Sequence, residues 1–102
     1  MNLVEDVFKR NIRITLERRR HFEEDHPEMF GQGEKIAECL SQPDQVRISK
    51  ADSSVELFYK LFEATPVGRK YLCAVIKNHG DDLFLVTAYF TDKVKEGAVL
   101  YG

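Results

Sequence analysis

Tyr71 to Thr91 reads YLCAVIKNHGDDLFLVTAYFT, two apolar runs joined through Asn78-His79-Gly80-Asp81. Both runs are rich in β-branched and aromatic residues, which suit a pleated surface, and Asn, Gly and Asp let a chain reverse tightly. The stretch predicts a β-hairpin. Side chains two apart on a strand share a face, so Thr87, Tyr89 and Thr91 point one way while Phe84, Val86, Ala88 and Phe90 point the other. The apolar set is expected to floor a core under helices, and the hydroxyl-bearing set to face outward.

Working upstream, a period of two starts at Gln45, with Val46 and Ile48, and continues through residues 55–62, 70–77 and 83–90. The connectors Ala51-Asp52-Ser53 and Thr65-Pro66-Val67-Gly68 are short and rich in turn formers, so successive strands are expected to pair antiparallel. Further upstream, Phe8, Ile12 and Ile14 share a face, predicting one short N-terminal strand bent near Lys9-Arg10. Thr15 offers a hydroxyl N-cap and Glu17 an acid in the first turn of a helix that runs to about Asp25. Its apolar side is thin, Leu16 and Phe22, which suits the rim of a sheet. Pro27 disfavours helix at His26, and residues 34–42 form a second helix with Ile36, Ala37 and Leu40 inward. The expected fold is α+β: two N-terminal helices packed on a four-stranded antiparallel meander, with a short N-terminal strand, all in one domain over residues 1–102.

Composition sets the outer bounds. A chain of 102 residues with 43% hydrophobic content can bury one core without cross-links, and Cys39 and Cys73 lack Cys-x-x-Cys spacing, so reduced thiols are expected. No apolar run approaches the roughly 20 residues that span a bilayer, and the N-terminus lacks the layout of a signal peptide, which predicts a cytoplasmic, membrane-free protein. The net charge of −2 argues against a general nucleic-acid coat. Charge is nonetheless segregated, with six Lys/Arg against three acids in residues 1–20 and nine acids against three bases in residues 21–56.

Glycine-rich phosphate loops are absent. His21 and His26 are five apart, about 140° around a continuous helix, so they do not share an ion, and no metal or other cofactor is expected. The remaining polar groups suit acid/base work on a phosphodiester. Cutting RNA without metal needs a base for the 2′-hydroxyl proton, an acid for the leaving 5′-oxygen, and cations for charge on the phosphoryl oxygens. His21 and His26 are the candidate proton carriers, since imidazoles exchange protons near neutral pH. Arg18, Arg47, Lys60 and Lys77 are candidate cations, and Tyr59, Tyr89, Thr87 and Thr91 candidate hydrogen-bond donors. Each also has a structural alternative: His26 as a helix cap, the lysines as solvated strand residues, the threonines as strand formers.

The order of these residues carries a resemblance. His21 with His26-Pro27-Glu28, then Leu57-Phe58-Tyr59-Lys60, then Lys70-Tyr71-Leu72 with Val75-Ile76-Lys77, then Thr87-Ala88-Tyr89-Phe90-Thr91-Asp92, resembles the phage-associated, toxin-like branch of the barnase, EndoU, colicin and RelE (BECR) ribonuclease group, from about Ile12 to Leu100. The resemblance implies a small α+β fold, metal-independent RNA cleavage, RNA as substrate and, for a toxin, an antitoxin protein as partner. Carried onto this chain, it implies proton transfer by His21, with His26, phosphate contacts from Lys60 or Lys77, and hydrogen bonds from Thr87, Tyr89 and Thr91. The competing reading is a non-catalytic module that binds protein or RNA with the same face. The geometric requirement of the nuclease reading is that His21 or His26 reaches Tyr89 and at least one of Lys60 and Lys77.

Overall fold

A computed structural model of the chain describes residues 2–102. The strands are β1 (Asn2–Glu5), β2 (Asn11–Ile14), β3 (Gln45–Ile48), β4 (Val55–Phe62), β5 (Lys70–Asn78), β6 (Leu83–Thr91) and β7 (Val99–Tyr101). Between β2 and β3 lie helix α1 (Leu16–Asp25), a 3-10 turn (Pro27–Met29) and helix α2 (Gly33–Ser41). The strands form one sheet in the order β1-β2-β6-β5-β4-β3-β7. All neighbours are antiparallel except β2 and β6, which run parallel through Ile12 opposite Leu83 and Arg13 opposite Phe84.

The expected four-stranded antiparallel meander is therefore incorrect: the sheet is seven-stranded and mixed, and strand dominates the fold. The missed strands have physical reasons. The bend anticipated near Lys9-Arg10 is a full reversal in which Lys9 takes a left-handed φ of 65°. The Asp6 carboxylate holds that turn by accepting the N–H groups of Phe8 and Arg10 at 3.0 and 2.9 Å. β1 and β7 are only four and three residues long, too short for alternation to register.

The opening hairpin departs from the expected facing in its first half. Val75 pairs with Thr87 but Ile76 with Leu85, so Val86 is an extra residue, a β-bulge that shifts the alternation by one. Leu83 and Leu85, not Phe84 and Val86, are buried beneath the helices; beyond the bulge Ala88 and Phe90 pack there as expected. Phe84 turns to the opposite face, where the Arg13 guanidinium lies 5.3 Å from its ring and the His79 ring 5.8 Å away.

One side of the sheet carries the main core: Phe22, Met29, Ile36 and Leu40 from the helical segment pack on Ile12, Val46, Phe58, Leu72, Ile76 and Leu85. At its end Arg10 bridges the buried Asp6 and Glu56 carboxylates at 2.7 and 2.6 Å, and Asn78 Nδ2 donates to Glu56. The other side holds a smaller cluster of Leu57, Tyr59 and Cys73, flanked by Val55, Tyr71, Val75, Tyr89 and Val94. Residues 92–98 cross this side from β6 to β7 as a strap. Its seating is close: a Cβ at Gly97 would collide with the Ile48 carbonyl oxygen. Among the described residues no helix is long and apolar enough to cross a membrane.

Candidate active site on the strapped face

Tyr59, Cys73 and Tyr89 form one row across three strands, because Tyr59 pairs with Cys73 and Cys73 with Tyr89. The Cys73 thiol lies beside both tyrosine hydroxyls. Burial pushes this thiol above its ordinary range, against the pull of the two hydroxyls and of the Lys95 charge, so the row is neutral at physiological pH. Burial and the neighbouring thiol push Tyr59 up to about 12 and raise Tyr89 as well. Both phenols therefore stay protonated, donors rather than bases.

His26 closes the row at its open end. Pro27 stops α1 one residue short, so His26 becomes its C-cap, with its backbone N–H donating to the Phe22 carbonyl at 2.8 Å and its carbonyl accepting from Met29 N–H at 2.9 Å. Capping fixes the backbone and frees the side chain to reach the edge of β6, where its ring centroid lies 5.5 Å from that of Tyr89 at 34°. Glu28 Oε1 stands 3.7 Å from His26 Nδ1. The imidazole side chain remains 37% exposed, so the ring is oriented on two sides and open on a third. Thr87 lies on the same face of β6, half-buried opposite Val75, and Thr91 is spent on a local turn with both polar groups of Lys93.

The structure does not assemble the other expected residues. His21 sits exposed on the outer side of α1 beside Leu16, Glu17, Arg20 and Glu24. Arg18 is exposed on the same helix and contributes its backbone N–H to the Thr15 cap at 3.2 Å. Lys60 is on the wrong face: it alternates with Phe58 and Phe62 beneath the helices, and its Nζ donates to the Gln42 carbonyl at 2.8 Å, closing the C-terminus of α2. Lys77 shares the strapped face but stands four residues along β5 from Cys73, about 13 Å by strand rise. Its ammonium is neutralised by Asp52 at 2.7 Å. His26 thus meets the requirement of nearness to Tyr89, and neither lysine meets the requirement for a cation.

Arg47 and Tyr59 have acquired other work. Arg47 donates to Gln45 Oε1 at 2.7 Å and to the Gly97 carbonyl at 3.4 Å, and Tyr59 Oη accepts the Lys95 N–H at 3.1 Å, so both hold the strap. Glu28, Cys73 and Lys95 were missed. Glu28 was signalled by its place in His26-Pro27-Glu28; Cys73 by strand register with Tyr89; Lys95 had no sequence signal, since the strap lacks periodicity.

Among the described residues no group of His, Cys, Asp and Glu is placed to hold a metal. A cavity of about 740 Å³ lies on the helical side between Val4, Ile14, Phe22, Ile36 and Ala37, with Arg19 at its rim; none of the expected site residues lines it. Searches against protein-family models, curated proteins and solved structures each found no match.

Proposed function

We propose that this chain is a metal-independent endoribonuclease in which His26, rather than His21, carries the proton. One observation supports this reading above the others: a partly exposed imidazole lies between a carboxylate and a tyrosine ring at the end of the Tyr59, Cys73 and Tyr89 row. In the proposed reaction His26 takes the proton of an RNA 2′-hydroxyl, and the 2′-oxygen attacks the adjacent phosphorus. The P–O5′ bond breaks, and the proton returns from His26 to the departing 5′-oxygen, leaving a 2′,3′-cyclic phosphate. Glu28, 3.7 Å from Nδ1, stands where a carboxylate would have to close in to orient the ring behind a catalytic histidine. In this reading Tyr89 and Thr87 supply hydrogen bonds to the phosphoryl oxygens.

The second reading, a module that binds without cutting, is favoured by one fact: Lys60 and Lys77 are both tied up away from Tyr89. The two separate on incubation of purified protein with end-labelled RNA in excess EDTA. The nuclease reading expects fragments ending in 2′,3′-cyclic phosphate; RNA that is bound and stays intact establishes the module instead.

A further inference from the structure

The proposed cleavage needs positive charge near Tyr89, and the expected lysines do not supply it. Charge pairing narrows the alternatives. On the strands and turns bordering the strapped face, Lys50, Lys70 and Lys77 are each compensated by a carboxylate, Glu96, Asp92 and Asp52, at 3.0, 2.6 and 2.7 Å. Arg13 is likewise paired with Asp82 at 2.8 Å. Among the described residues, Lys93, Lys95 and Arg47 of this region have no such partner. Arg47 bonds only neutral oxygens, so its charge remains uncompensated.

Lys95 is the best placed of the three. Its backbone is pinned over the row by the bond to Tyr59 Oη, Val94 beside it packs into the Tyr59 and Cys73 cluster, and Ile48 N–H fixes the following Ala98 carbonyl at 2.8 Å. The anchored backbone and exposed side chain give a long, mobile cation on a rigid base. Around it, the half-buried rings of Tyr71 and Tyr89 and the exposed edge of His26 offer stacking surfaces that suit unpaired bases.

We propose that Lys95, with Arg47 and Lys93 beside it, holds the phosphates of single-stranded RNA laid over the strap, above the buried Tyr59 and Cys73, toward the partly exposed Tyr89 and His26. The inference rests on the nuclease reading for its direction, but its test does not depend on cleavage. Binding of a fluorescent single-stranded oligoribonucleotide is measured by anisotropy across a salt series in EDTA, in a His26→Ala background. Lys95→Ala is expected to weaken binding about tenfold at low salt and to reduce the slope of log affinity against log salt by about 0.7. Lys95→Arg should restore both, and Lys77→Ala should change neither. An unchanged slope in Lys95→Ala, a loss in Lys77→Ala of the same size, or equal affinity for duplex RNA would overturn it. Cleavage by the wild type with no binding defect in Lys95→Ala sinks this inference alone; a binding defect in a protein that never cleaves sinks the nuclease reading alone.

Discussion

The two faces of the sheet are built from the same strands and differ in almost every physical respect. Under the helices, the buried residues are almost all aliphatic or aromatic, and the buried carboxylates of Asp6 and Glu56 are saturated with hydrogen bonds. Under the strap, the buried cluster is small, contains two phenols and a thiol, and is covered by a segment with neither helix nor strand. The first face is organised for stability. The second gives up buried apolar area to hold polar groups in register, as expected where a rigid scaffold presents a site.

Substitutions should sort by face. Phe58→Ala opens the helical core and should cost about 3 to 5 kcal/mol by denaturant titration, whereas Val75→Ala on the other face should cost about 1 kcal/mol or less. Equal costs would break the comparison. Next in size is Glu56→Gln, which removes one of the two carboxylates that Arg10 bridges while Asp6 keeps its own pair with the guanidinium, and should cost about 1 to 3 kcal/mol. The exposed pair offers the contrast: Asp52→Asn should leave the midpoint unchanged within error.

An effect of similar size tests the strap. Gly97→Ala forces a Cβ against the Ile48 carbonyl and should cost about 1 to 3 kcal/mol, with strap amides gaining hydrogen exchange faster than those of β5. The smallest concerns pH. Burial raises Cys39 and Cys73 above 9.0, and burial with the nearby thiol raises Tyr59 to about 12. The unfolded chain therefore releases protons that the folded chain keeps, so stability is full below about pH 9 and falls as pH rises beyond it. A melting temperature that held steady from pH 8 to 11 would contradict this burial.

How much could be read in advance differs between the faces in the same way. The helical side was largely legible, since Ile36 and Leu40 share a helical stripe and Phe58, Leu72 and Ala88 sit at alternating strand positions. The bulge at Val86 was not, because one extra residue leaves composition unchanged while reversing the facing of Phe84. Nor were β1 and β7, whose pairing is decided by partners far along the chain. At the site, His26 and Tyr89 were named, but their meeting depends on the C-cap geometry of α1, and Lys60 was misjudged because alternation alone does not say which face is which. Lys95 was invisible: its position comes from a hydrogen bond to Tyr59 across 36 residues of sequence.

The most direct test compares His26→Ala with His21→Ala in cleavage of labelled RNA in EDTA, each verified as folded by its melting curve. Removing the proton carrier should lower the rate at least 100-fold in His26→Ala, on the order of a general-base contribution, while His21→Ala stays within about twofold of the wild type. Retention of full activity by His26→Ala, or its loss in His21→Ala, would contradict the assignment of this face as the site of chemistry.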